Sequence, residues 1–203
     1  MEEIINYAQK TREEIHSYWK EPWDGKNKPT DYVPLLERSQ FLLGIISAYA
    51  SQAKILEIGC NVGRNLNCLY NSGYQNLTGI EISKNAIEEL AKQFPQLIEN
   101  CNIINGSIED QIINFNSNGF DIVFTMAVLV HVHPESEWIF KEMVNITGKY
   151  LIVIEDEVRT TWRHFSRKYK EIFESYNMQQ ILEARYIPGI DCNYVCRVFK
   201  KVI

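Results

Sequence analysis

Two carboxylates, two glycines and two histidines carry the chemistry within reach of this 203-residue chain. Glu57 stands in Ile55-Leu-Glu-Ile-Gly-Cys-Asn-Val-Gly-Arg-Asn-Leu66, where an apolar run enters a glycine turn and then an amphipathic stretch. That order reads as a buried strand bending sharply into a helix, and ligands bind at such bends in open α/β sheets. Gly59 and Gly63 lack a Cβ, so the backbone there can take unusual dihedrals and approach a ligand, while the free N–H groups opening the next helix face the same cleft. Those N–H groups suit a carboxylate or a polar edge. Glu57, at the carboxyl end of the strand, suits an ammonium group. Glu81 closes the next apolar run, Leu77-Thr-Gly-Ile80, where a carboxylate can accept hydrogen bonds from two ribose hydroxyls.

His131 and His133 lie in Thr125-Met-Ala-Val-Leu-Val-His-Val-His-Pro134. They alternate along the chain, so one of them is expected to face the cleft, and histidine is neutral and basic near pH 7, which suits proton removal from a hydroxyl. His131 is favoured for the ligand side; the competing role for each is a hydrogen bond to backbone. The pair also spells H-x-H, which with Glu155, Asp156 and Glu157 sketches a metal site. Histidines two apart in an extended segment point to opposite sides, so the expectation is no metal, with Glu155 contacting substrate or capping a loop.

Two other readings compete for the glycine turn. A nicotinamide enzyme needs G-x-G-x-x-G, whereas here the spacing is G-x-x-x-G with Asn61 between and no glycine at Asn65 or Leu66. A purely structural turn would not require both acids at nucleoside spacing.

The elements that must position these residues follow from pattern. Residues 2–19 read as a helix, and Leu35, Leu36, Leu42, Leu43, Ile46 and Tyr49 recur at helical spacing. Then come strand 53–58, helix 63–72, strand 77–81, helix 84–93, strand 101–105, strand 120–125, a helix opened by Pro134, and strand 150–154. Regular alternation means parallel strands with right-handed crossovers. A helix over 164–175 leads to strands 179–186 and 193–200, whose short link Ile187-Pro-Gly-Ile-Asp191 cannot hold a parallel crossover, so these two pair antiparallel.

Glu57-Ile-Gly-Cys-Asn-Val-Gly-Arg-Asn-Leu66 followed by Gly79-Ile-Glu-Ile-Ser83 resembles the S-adenosylmethionine-binding region of class I methyltransferases, a likeness reaching over about residues 14 to 155. With asparagine between the glycines it is most similar to methyltransferases of surface-sugar biosynthesis, such as the pseudaminic acid-associated methylases. The resemblance implies a doubly wound, mostly parallel seven-stranded sheet ending in an antiparallel hairpin. It further implies N-terminal helices and a lid over residues 1–50 and a cofactor-binding part over 51–203, in one compact domain. The implied cofactor is S-adenosylmethionine. Glu57, Gly59 and Gly63 would hold its methionine part and Glu81 its ribose, with Asn61, Asn65, Ile82 and Met126 completing the site. Ser107 would bond the adenine amine and Ile108 cover the ring; many relatives carry aspartate at the Ser107 place, and helix capping is the alternative for that serine. The lid segment Tyr18-Trp-Lys-Glu-Pro-Trp-Asp-Gly25 would set Tyr18, Trp19 or Trp23 against the sulfonium, and Arg38 against the methionine carboxylate or a substrate acid. Packing of the extra helix on the sheet is the alternative for these aromatics.

Composition narrows the function class. A hydrophobic content of 45% over 203 residues supplies ample core for one domain. A net charge of -5 argues against a broad phosphate-backbone surface. Arg159, Arg163, Arg167, Lys168 and Lys170 are a local basic stretch that an RNA or protein methyltransferase would need as one exposed face. Five cysteines without a C-x-x-C pair indicate neither a disulfide framework nor a zinc ribbon and point to a reducing, cytoplasmic setting. The first residues do not read as a signal peptide, and no run approaches membrane-spanning length. The stretch after the fourth strand, Thr125-Met-Ala-Val128, lacks the Asn-Pro-Pro-Tyr type of motif that marks methylation of base amino groups. The expectation is methyl transfer to an oxygen or nitrogen of a small molecule, a sugar or sugar-nucleotide-like metabolite. A cofactor-binding module without catalysis is the alternative from another class.

Overall fold

The structure is a computed structural model that describes residues 10–49 and 52–202. Seven strands form one sheet in the order β3-β2-β1-β4-β5-β7-β6. β1 (Ile55–Ile58), β2 (Leu77–Glu81), β3 (Asn102–Asn105), β4 (Phe120–Met126) and β5 (Thr147–Asp156) run parallel. β6 (Met178–Ala184) and β7 (Tyr194–Lys201) form the antiparallel hairpin, and β7 inserts between β5 and β6. The expected architecture is therefore present, closing hairpin included. The strand order reverses between β1 and β4, the place where open α/β sheets form a ligand crevice.

The two faces of the sheet are fed by period-two alternation along nearly all-apolar strands. On β4 and β5, Ile122, Phe124, Ile152 and Ile154 point into one core, with Leu42 and Ile46 of α2 (Leu36–Ser47), Leu66 and Leu69 of α3 (Arg64–Asn71) and Leu90 of α4 (Lys84–Gln93). Val123, Leu151 and Val153 point into the other, with Phe140 and Met143 of α7 (Ile139–Ile146) and Phe173 of α8 (Tyr169–Ser175). Each such fully buried side chain is worth about 1.5–3 kcal/mol, so both layers clamp the strand ends that carry the site.

Local chemistry sets the boundaries. Thr11 and Glu14 form a capping box, so α1 (Arg12–Lys20) starts at Arg12 and Lys10 is not helical; residues 2–9 of the longer expected helix lie outside the described residues. Phe94 ends α4, and Pro95 opens a separate helix, α5 (Pro95–Asn100), that pattern reading had not resolved. Ser107 caps the short α6 (Ile108–Gln111). Pro134 opens only a 3-10 turn, Pro134–Ser136, before α7. The helix expected from residue 164 starts instead at Tyr169. Thr161 and His164 pair across a tight turn through backbone bonds of 3.1 and 3.4 Å, which holds His164 out of helical geometry. Among the described residues, no helix is long and apolar enough to cross a membrane.

Candidate functional site

The carboxyl ends of β1, β2 and β4 open into a cavity of about 350 Å³ roofed by α1 and the segment after it. Glu57 is buried at the end of β1, where its Oε1 accepts a 2.7 Å hydrogen bond from Asn65 Nδ2 while Oε2 has no donor among the described residues. Burial, opposed in part by Asn65 and Arg64, lifts its carboxyl to about 8. The carboxyl is thus neutral at pH 7 in the unliganded chain, and a cation against its unpartnered oxygen would favour the ionised form.

Glu81, buried at the end of β2, accepts Asn61 N–H at 2.8 Å and Ser83 N–H at 2.7 Å, one on each oxygen. Burial raises it and these bonds oppose the rise. Each oxygen keeps a lone pair for a further donor, which is the requirement for gripping a diol. Asn61 reaches Glu81 because it sits in the left-handed region (φ 49°), with its side-chain oxygen accepting Val62 N–H at 2.8 Å.

The two glycines of the turn serve different surfaces. At Gly59 (φ 72°) an added Cβ would stand 2.4 Å from Val128 Cγ2, so its bareness lets the β4 loop close over the turn. At Gly63 (φ 73°) it would stand 2.6 Å from Leu90 and 2.9 Å from Leu97; that glycine packs α3 against α4 and α5 and does not line the cavity.

The loop after β4 is organised from beneath by Glu155, which is fully buried and accepts the N–H groups of Val128 at 3.0 Å and Val130 at 3.1 Å. Burial raises its carboxyl to about 7 against those bonds. Glu155 thus caps the loop, one of its two expected roles. The loop presents His131 to the cavity between Trp19, 4.4 Å away ring to ring, and His164 at 4.7 Å. Nδ1 of His131 lies 2.7 Å from the carbonyl oxygen of Arg163. A carbonyl only accepts, so Nδ1 carries the proton and Nε2 holds the lone pair. Burial, then the neighbouring His164, holds His131 well below its ordinary value, keeping it neutral.

His133 stands outside the cavity, its Nδ1 accepting Glu135 N–H at 3.3 Å and its ring against Phe165. Tyr18 is also outside: it is fully buried behind the roof, edge-on to Trp19, Trp23 and Trp162, with its hydroxyl on Asp24 and Asn27. Trp23 is mostly exposed and does not line the cavity either. Trp19 does, and its indole N–H has no acceptor among the described residues. Ile82, Ile108 and Met126 line the wall; Ser107 does too, but its hydroxyl is engaged by Asp110, at 2.7 Å to the carboxylate and 3.2 Å from the N–H, as a helix cap. Arg38 reaches the cavity and donates to the Gly189 carbonyl, 2.9 Å from Nε.

Sequence reasoning missed three residues. Arg64 is 8% exposed, donates to the Leu35 carbonyl and touches Met126 Sδ, with burial lowering its guanidinium to about 10; its place one residue after Gly63 was the available signal. His16 bonds Glu109 at 3.0 Å and ties α1 to α6 across the cavity rim. Nothing local in sequence signals that pair. Among the described residues, no three His, Cys, Asp or Glu side chains are grouped to hold a metal ion.

The methyltransferase domain family matches residues 55–149. No curated protein sequence matches the chain. Among solved structures, the 1,6-didemethyltoxoflavin-N1-methyltransferase of Burkholderia thailandensis, with 1,6-didemethyltoxoflavin and S-adenosylhomocysteine bound, is 15% identical at a TM-score of 0.71, covering 95% of this chain and 87% of that one. The magnesium protoporphyrin IX methyltransferase of Synechocystis PCC 6803, with S-adenosylmethionine bound, is 14% identical at 0.68, covering 97% of this chain and 100% of that one. The [4+2]-cyclase SpnF is 13% identical at 0.65, covering 82% and 81%. At such identities the likeness establishes the fold. The match over residues 55–149 adds the enzyme class, a methyltransferase, and the neighbours with S-adenosylmethionine or S-adenosylhomocysteine bound support S-adenosylmethionine as its cofactor.

Proposed function

We propose that this chain transfers a methyl group from S-adenosylmethionine to an oxygen or nitrogen of a small molecule, a sugar or sugar-nucleotide-like metabolite. The observation that carries the reading is His131, held by the Arg163 carbonyl as the tautomer with a free Nε2, in the same cavity as Glu57 and Glu81. The residues fit the cofactor. Glu57 offers its unsatisfied oxygen to the ammonium group, Glu81 its lone pairs to the ribose, and Ile82 and Ile108 apolar contact to the adenine. When bound, the cofactor supplies an already activated sulfonium methyl. The chain then has to align the acceptor, exclude water and remove one proton. Trp19 and the segment from Ile15 to Arg38 cover the cavity, and His131 Nε2 takes the proton of an acceptor hydroxyl.

The basic stretch bears on the size of the acceptor. Arg159 and Arg163 turn into the cavity, Arg167 is buried, and only Lys168 and Lys170 are exposed, so these five residues do not make the single face that an RNA acceptor would use. The likeness to surface-sugar methylases at Asn61 supports the sugar class. Incubating purified protein with methyl-labelled S-adenosylmethionine and a panel of sugars and sugar nucleotides should yield a labelled small molecule. Label found in RNA or protein, or tight cofactor binding without any labelled product, overturns this reading.

A further inference from the structure

One arginine of the cavity differs from the other arginines of the described residues. Of the eight arginines, Arg12, Arg167, Arg185 and Arg197 pair with carboxylates. Arg38 and Arg64 donate to carbonyls, and Arg159 to Asp191 at 2.9 Å. Arg163 has no acceptor for its guanidinium among the described residues. It stands instead against three rings, 5.2 Å from Tyr18, 5.4 Å from Trp19 and 5.9 Å from Trp162. Rings attract the charge but accept none of the five N–H donors in the way an oxygen does.

We propose that Arg163 receives an oxyanion of the methyl acceptor, a carboxylate or a phosphate, through its unused N–H fork. This rests on the methyltransferase reading above and adds to it what the acceptor must carry. A planar guanidinium matches both anions in bidentate fashion, and its aromatic surroundings fix its plane in advance. The same residue holds His131 by its backbone carbonyl at 2.7 Å, so anion and base are positioned by one residue. Arg159 lines the same wall but is itself paired with Asp191 at 2.9 Å and Asp156 at 3.6 Å, which leaves Arg163 as the arginine of that wall without a carboxylate partner. Glu57 and Glu81 belong to the strand ends below and are the groups assigned to the cofactor. Neutralising Arg163 would also relieve a charge that makes His131 less basic.

The test uses the full chain saturated with S-adenosylhomocysteine and two probe pairs that differ in charge: glucuronate against glucose, and phenyl phosphate against benzyl alcohol. Binding is followed by tryptophan fluorescence, since Trp19 and Trp162 both touch Arg163. In at least one pair the anion should bind about tenfold tighter or more, as loss of a charge-assisted bond costs that much. Arg163→Gln should erase the difference and Arg163→Lys keep part of it. The pair showing the larger preference separates carboxylate from phosphate. Equal binding of charged and neutral probes by the unaltered chain, or a preference that survives in Arg163→Gln, overturns the proposal, and the first of these does not depend on any variant folding. Failure of S-adenosylhomocysteine to bind is a separate readout that would sink the methyltransferase reading, and the probe pairs would still report on Arg163.

Discussion

Glu57→Gln separates what the fold wants from what the cofactor wants. Folded Glu57 holds its proton to about 8 against an ordinary value of 4.5, so at roughly 1.4 kcal/mol per pH unit its ionisation is disfavoured in the fold by as much as about 5 kcal/mol. The sign follows from proton counting: the folded chain binds more protons than the unfolded one between 4.5 and 8, so the contribution of this group is complete below 4.5 and is lost as pH rises to 8. Glutamine keeps an oxygen for Asn65 and carries no charge. Its urea stability should gain on the unaltered chain across that window by several kcal/mol at most. Cofactor binding should move the other way. An ammonium group against Glu57 favours the ionised form, so S-adenosylhomocysteine binding at pH 7 should release close to one proton, visible as a calorimetric enthalpy that depends on the ionisation enthalpy of the buffer. The variant should release none and bind about ten- to a hundredfold more weakly, the equivalent of one charge-assisted bond. Unchanged affinity together with no proton release from the unaltered chain would refute the assignment.

Three further outcomes test the rest of the site. Glu155→Ala leaves the buried N–H groups of Val128 and Val130 without an acceptor, which should cost about 2–6 kcal/mol in denaturant melts; a loss under about 1 kcal/mol would mean the loop does not depend on it. Gly59→Ala should destabilise through its positive φ and its collision with Val128, and adding Val128→Ala should recover the collision part while leaving about 1–2 kcal/mol of backbone strain; strictly additive losses would place the strain elsewhere. His131→Ala should lower turnover about 10²–10⁴-fold with cofactor affinity nearly intact. Because burial keeps His131 neutral well below 6.5, the rate profile of the unaltered chain should show no acid limb attributable to it near that value; a limb centred at 6.5 would point to an exposed base.

What could be read from sequence, and what could not, divides along the range of the interactions. The parallel strands were legible because a strand buried on both faces must be a short apolar run, and Ile55–Ile58, Leu77–Ile80 and Tyr150–Ile154 are such runs. The closing hairpin was legible from loop length alone. Glu57 and Glu81 were legible because a carboxylate ending such a strand has only the crevice to face. Gly59 and Gly63 looked equivalent, since sequence shows a missing Cβ but not its neighbour. Val128 lies 69 positions from Gly59, and Leu90 lies 27 from Gly63; only the packed fold reveals that one glycine seats the loop after β4 and the other seats a helix. The two histidines show the same limit. Of the two, only His131 lines the cavity, at the end of the 3-10 turn Leu129–His131 and not on an extended strand, and the preference for it had no local cause. Its cause is the Arg163 carbonyl, 32 positions away, one residue before the helix that pattern reading placed over 164–175. Had residues 161–168 been helical, that carbonyl would have been committed within the helix and Arg163 would have had no reason to enter the aromatic cluster. The tight turn from Thr161 to His164 is therefore what converts a basic stretch into both the clamp on the proposed base and the cation proposed for the acceptor.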